Sequence, residues 1–207
     1  MNMNNVVLEV AKGLVNCFNN NNSIVFPEYH NKGNEKYRIS EQESKILFAN
    51  EFIKNKIRFA VEVPTKSTHQ QTGQTERSAR FDLVTYKNES YNFDWVVELK
   101  SKNPPEYHFQ KDFEKMVKSE SKCLWFHTLK NADNNTYEVL LKKIKNGINN
   151  EIKNFVGKYD WKFVIVVLEK MELYSLDISL DKGKEIETVT IDKFDNISEK
   201  LNEILEK

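Results

Sequence analysis

The alternation of apolar and polar positions divides this chain into segments of two different periods. Over 5–18, Val6, Val7, Val10, Leu14 and Phe18 recur at helical spacing, and the polar stretch 19–23 follows. This predicts an amphipathic helix and then a break. Ser40 stands where a second helix over 41–56 needs its cap, with Glu43 in the capping-box position three residues on. On a wheel of about 100° per residue, Ile46, Ala49, Ile53 and Ile57 form the stripe predicted to be buried. Glu43 falls on its border and Glu51 almost opposite. A short strand, 59–63, is expected to stop at Pro64, and the nearly apolar-free stretch 65–79 to form a loop of the length that often serves function. Segments 80–86 and 93–100 alternate in the strand period around the turn-rich 87–92, which predicts a hairpin. Beyond Pro104 and Pro105, a helix over 106–119 carries Phe109, Phe113, Met116 and Val117 on one stripe. The remaining pattern predicts a strand at 123–128, a helix at 136–153, strands at 161–168 and 172–178, and a closing amphipathic helix at 193–206.

The order is that of a mixed α/β chain. No internal repeat and no linker rich in Gly, Pro or Ser interrupts it, so 1–207 reads as a single domain. The longest apolar run, 163–168, is far short of the roughly 18 residues of a membrane span. The first residues carry Glu9 and lack the basic head of a signal peptide. Cys17 and Cys123 are too few for a disulfide framework or a zinc site. A cytoplasmic protein with no membrane partner is the expectation. Net charge is +0, so no global field draws the chain to nucleic acid, but 100–130 carries a net +3 and 169–207 a net −5. A middle section favourable to phosphate and an acidic tail are combined in one neutral chain.

One constellation stands above this background: Asp82 in the first hairpin strand, and Glu98-Leu99-Lys100 ending the second. Residues two apart on a strand share a face, so Glu98 and Lys100 point one way, while Trp95, Val97 and Leu99 point into a core. A hairpin turning about Ser90 sets position i opposite 180 − i, which places Asp82 across from Glu98 with Cβ atoms about 5 Å apart. A slip of one residue would send the carboxylates to opposite faces. In the expected register their repulsion calls for a cation, and two carboxylates on rigid strands suit hard Mg²⁺ or Mn²⁺. The acid-x-base triplet is not itself informative, since about four to five arise by chance at this composition. Context singles out Glu98: it ends an apolar strand, a second acid stands on the preceding strand, and a helix follows.

With Phe81-Asp82 on the second strand and Glu98-Leu99-Lys100 on the third, the chain resembles the PD-(D/E)XK, or restriction-endonuclease-like, nucleases. The stretch 40–168 matches their αβββαβ core, a central mixed sheet flanked by helices, here with an N-terminal helix and a C-terminal β-β-α extension. It departs from the family in having Phe81 where many members have proline. The resemblance implies that Asp82 and Glu98 bind Mg²⁺ or Mn²⁺ and that Lys100 orients or deprotonates the attacking water. It further implies metal-dependent hydrolysis of phosphodiester bonds in nucleic acid, DNA in preference to RNA, in restriction, phage defence or repair. A homodimer is compatible with cutting both strands of a duplex. The alternative is a non-catalytic adaptor on the same fold, or a subunit of a larger effector. Members commonly add an acid from the first core helix. Glu43 is taken for that role beside its reading as a helix-cap residue, with Glu41, Glu51 and Glu62 as rivals.

For the polar contacts with nucleic acid, Arg77, Gln70, Gln71 and Gln74 lie within the 65–79 stretch and Arg80 just after it, where holding a nucleic-acid backbone and a plain solvated loop are both open. His108, Lys111, Lys115 and Lys118 form a stripe on the following helix opposite Phe109 and Phe113, and Gln110 borders the buried side. Phosphate contact and a plain solvated face are both open for this stripe. His127, between Phe126 and Thr128 on a strand, is expected to be a satisfied core histidine.

Overall fold

The computed structural model describes residues 2–19, 23–28, 37–69, 77–103, 105–151 and 158–181. Within them lie α1 (Met3–Phe18), α2 (Glu41–Lys54), β1 (Phe59–His69), β2 (Arg77–Tyr86), β3 (Phe93–Ser101), α3 (Glu106–Lys118), β4 (Lys122–Leu129), α4 (Asn134–Glu151), β5 (Lys158–Val167) and β6 (Glu172–Asp181). The strands form one six-stranded sheet in the order β1-β2-β3-β4-β5-β6. Neighbours run antiparallel except β3–β4 and β4–β5, which are parallel and are connected through α3 and α4. No helix among the described residues is long and apolar enough to cross a membrane.

Each face of the sheet buries its own core. On one face α1 and α2 cover Leu83, Val97, Leu99, Leu124, Phe126, Val164 and Val166. On the other, α3 and α4 cover Val84, Val96, Trp125, Phe163, Ile165 and Val167. Consecutive strand residues divide between the two cores, which is the period-2 rule applied to a sheet covered on both sides. The α1–α2 contact is close at Gly13, where an added Cβ would lie 2.9 Å from Leu47 Cδ2.

Four expectations change. The strand 59–63 does not stop at Pro64 but continues to His69, and β2 begins at Arg77. β1 is the outermost strand among the described residues, the place in a sheet where a proline is tolerated. Of the expected loop 65–79, residues 65–69 and 77–79 are in strands; the rest, with Gln70, Gln71 and Gln74, lies outside the described residues, as does the helix expected at 193–206. The buried side of α2 is Ser44, Leu47, Phe48, Glu51 and Phe52, whereas Ile46 and Ile53 are 51% and 66% exposed. Two apolar stripes run along this helix, and the one with Phe48 and Phe52 has the larger area to bury: Phe48 meets Phe126 edge-on and Phe52 meets Phe59. Finally, Lys115, expected on an open polar stripe, is buried.

Candidate functional site

The β2–β3 ladder follows the expected register, with Leu83 opposite Val97, Val84 opposite Val96 and Thr85 opposite Trp95. One step further the regular pairing ends. Phe81 joins the α3/α4 core although Leu83, two residues away, lies in the α1/α2 core, so β2 turns over at Asp82. The Asp82 carboxylate enters the gap between the strands, where Oδ2 accepts from the Leu99 N–H at 2.8 Å. A side chain thereby satisfies a main-chain donor that the ladder has released.

Two groups of charges meet at this opening. On the α2 side, Lys45 Nζ lies 3.2 Å from Asp82 Oδ1 and is paired with Glu62. Glu62 has a left-handed backbone, φ 53°, between the pairs Val61–Leu83 and Val63–Phe81. Such backbone is uncommon for a non-glycine residue, and in a strand it marks an irregularity held by its surroundings. On the α3 side, Glu98 Oε2 accepts from Lys115 Nζ at 2.9 Å, Lys115 reaches Asp112 Oδ1 at 2.8 Å, and Asp112 Oδ2 receives Lys100 Nζ at 2.9 Å. Lys115 also donates to the Arg80 carbonyl at 3.1 Å. Lys100 Nζ stands 5.6 Å from the centre of the Trp125 ring, a cation–π contact that fixes the ammonium over the sheet.

Burial and this chain of charges set the protonation states. Burial, and then the Asp112 charge, push the Glu98 carboxyl well above the usual carboxylate range; Lys115 opposes this, and Asp82 adds to it. For Asp112, burial is outweighed by Lys100 and Lys115, which hold it below its usual range. Burial alone would weaken the Lys100 ammonium, but Asp112, Glu98 and Glu41 outweigh it and raise the pKa. Lys100 is therefore a firm cation and a donor. Glu41 is raised chiefly by burial, lowered by Lys100, raised by Asp82, and bonded to the Ser101 backbone. Glu98 Oε1 is buried and has no hydrogen-bond partner among the described residues.

No protein-family model and no curated protein matches this sequence. Among solved structures, the central domain of yeast acetyl-CoA carboxylase matches with a TM-score of 0.34 and 6% identity over 85% of this chain. The match spans 28% of that solved chain, and a likeness this weak carries no argument.

Of the residues singled out by sequence, Asp82, Glu98 and Lys100 meet at the β2–β3 opening, but through different helices: Asp82 is held from α2, while Glu98 and Lys100 are held from α3. Glu43 does not join them. It is buried at the start of α2, where the Ser40 hydroxyl, which caps the helix, donates to Glu43 Oε2 at 2.7 Å. The α2 carboxylate in the field of Lys100 and Asp82 is Glu41, two residues earlier and on another face of the helix. Glu51 pairs with Lys54 at 2.6 Å on the α1 side. Lys115 is corrected from a nucleic-acid contact to the buried counter-ion of Glu98. Lys111 and His108 are exposed on α3 and flank Tyr107, and Gln110 is half-buried. Arg80 is exposed, and Arg77 opens β2. His127 is a core residue as expected, bonded to the Lys102 carbonyl.

Sequence reasoning missed Lys45, the partner of Asp82, and also Asp112. Asp112 lies one position before Phe113 in a stretch read for its apolar stripe, and its partners Lys100 and Lys115 lie on two different elements. Its only sequence signal is an acid at i−3 from Lys115.

Proposed function

We propose that this protein is a Mg²⁺- or Mn²⁺-dependent nuclease of the PD-(D/E)XK type, hydrolysing phosphodiester bonds with DNA preferred to RNA. The observation that carries the reading is Glu98, a fully buried carboxyl on an apolar strand with one oxygen unpartnered and Asp82 alongside. Leaving a buried acceptor unmatched costs about 1–3 kcal/mol, and such groups persist where they serve function. The element order adds support: a helix, three antiparallel strands, a crossover helix and a parallel strand place the acids of β2 and β3 beside a helix start. That order is the one expected of a restriction-endonuclease-like αβββαβ core.

The donor chemistry fits a hard divalent ion. No group of three or more acids, His or Cys among the described residues is arranged to share one ion. Mg²⁺, however, is commonly held by one or two carboxylates, with waters and substrate phosphate completing its shell. Asp82 and Glu98 would hold it, in place of the ammonium groups that now neutralise them. When bound, the ion polarises the scissile phosphate and lowers the pKa of a coordinated water. Lys100, kept protonated by Asp112, donates to the phosphate oxygens and offsets the charge that grows there; it does not act as the base. Asp112 fixes the direction of that ammonium. Glu41, raised by burial, is the α2 acid in the field of Lys100.

The test is incubation of supercoiled plasmid, single-stranded DNA and RNA with Mg²⁺ or Mn²⁺. The expected result is metal-dependent cutting that falls at least about a hundredfold in Lys100→Ala. An absence of cutting on all three substrates overturns the reading. The pairing of Asp82 with Lys45 and of Glu98 with Lys115 favours a second reading, a non-catalytic binding module whose charges are internally balanced. Calorimetry separates the two: Mn²⁺ binding that disappears in Asp82→Asn supports the enzyme, and no binding supports the module.

A further inference from the structure

We propose that the groove between the β2–β3 hairpin and the C-terminal end of α3 binds single-stranded nucleic acid, one base stacking on Tyr91 and backbone phosphates meeting Lys87 and Lys118. The inference rests on the nuclease reading in one respect, that its ligand leads to the site at Glu98.

Tyr91 is 81% exposed, the most open of the large apolar side chains in the described residues. It is nevertheless on a fixed turn. Lys87 N–H donates to the Asn92 carbonyl at 2.9 Å, Ser90 N–H donates to the Lys87 carbonyl at 3.0 Å, and Arg58 donates to the Asn88 carbonyl at 2.9 Å. The Arg58 guanidinium stands 5.6 Å from the centre of the Tyr91 ring. An aromatic ring held out on a pinned turn beside a cation is the arrangement that stacks unpaired bases.

A groove of about 550 Å³ begins beneath this ring. Phe81 and Phe93 line it, their ring centres 6.0 Å apart edge to face. Lys87 lies at the turn end, and Lys118 and Lys115 lie along α3. Among the described lining residues Glu120 is the single acid. Lys118 is 51% exposed and its pair with Glu114 is a surface one, so a phosphate can replace that partner at little cost. Lys115 is the decisive member, because its ammonium bonds Glu98 at 2.9 Å. A strand with a base on Tyr91 and its backbone along the groove therefore points to the carboxylate proposed to hold the ion. A duplex does not suit this surface, since its bases are already stacked and offer no free face to Tyr91.

The experiment is fluorescence anisotropy of labelled 12-nucleotide oligo-dT and oligo-rU, and of a 12-base-pair duplex, with the full chain in EDTA so that binding is read without cutting. Expected is binding of a single strand in preference to the duplex, weakened about tenfold in Tyr91→Ala and retained in Tyr91→Phe. Lys87→Gln and Lys118→Gln are each expected to reduce the slope of log affinity against log salt by about 0.7. Tyr91 dependence with either oligomer supports the proposal. Unchanged affinity in Tyr91→Ala, no single-strand binding by the wild type, or equal binding of the duplex overturns it. If the wild type binds a single strand in this Tyr91-dependent way yet cuts none of the substrates with Mg²⁺ or Mn²⁺, the nuclease reading fails while the groove assignment stands.

Discussion

At Glu98 the protein keeps a carboxyl in its interior with a single cation, Lys115, on one of its two oxygens. Because burial raises this carboxyl, the folded chain takes up a proton there at a higher pH than the unfolded chain does. Stability from this group is thus present in acid and declines as pH rises. Lys115 moderates the decline, so Lys115→Met is expected to steepen it, with a loss of about 3–5 kcal/mol at neutral pH and a smaller one near pH 4.5. Urea unfolding at the two pH values measures the difference. His127 acts with the opposite sign. Burial lowers its imidazole to about 4, while the unfolded imidazole binds a proton at about 6.5. Acid therefore favours unfolding between these values, by up to about 3 kcal/mol. His127→Gln, which keeps a donor for the Lys102 carbonyl, is expected to flatten that part of a pH–stability profile. The role of His127 was legible in the sequence, because an apolar strand surrounds it. The role of Lys115 was not: wheel geometry places it away from Phe109 and Phe113, and only the packing of α3 against β2 and β3 turns that flank inward.

Among the elements, α3 and α4 approach closely at Gly147. A Cβ built on Gly147 would lie 2.1 Å from Phe113 Cδ2. The Phe113 ring has no room to retreat, being packed against Trp125, Trp161 and Phe163 with centre distances of 5.0, 5.8 and 5.9 Å. Gly147→Ala is expected to destabilise the fold by about 1–3 kcal/mol even though alanine is the better helix former, and Phe113→Leu in the same chain to recover part of the loss. Denaturant midpoints of the three variants decide this. Strands and the 87–92 turn were legible because alternation and turn residues are local signals, and they also fixed the register through Leu83 and Val97. The passage of β1 through Pro64 was not legible, since it depends on β1 being outermost. Nor was the buried face of α2, where Ile46 and Ile53 compete with Phe48 and Phe52 and the sheet residues Phe126 and Phe59 decide between them.

For the molecule as a whole, the proposed ion site predicts linkage between metal and stability. At a Mn²⁺ concentration of about 100 times Kd the folded state gains about 2.7 kcal/mol. For a chain of this size that is a rise of about 5–10 °C in Tm, and it is expected to vanish in Asp82→Asn. Thermal scans with and without Mn²⁺ check it. The order of strands has another consequence. Neighbours in the sheet are also neighbours along the chain, from β1 through to β6. A polypeptide emerging from the ribosome can therefore add each new ribbon to a free outer margin already in place, and none has to be threaded between two others. The parallel pair that presents Glu98 and Lys100 is complete once β4 has emerged, so the charged opening is assembled well before synthesis reaches the last ribbon.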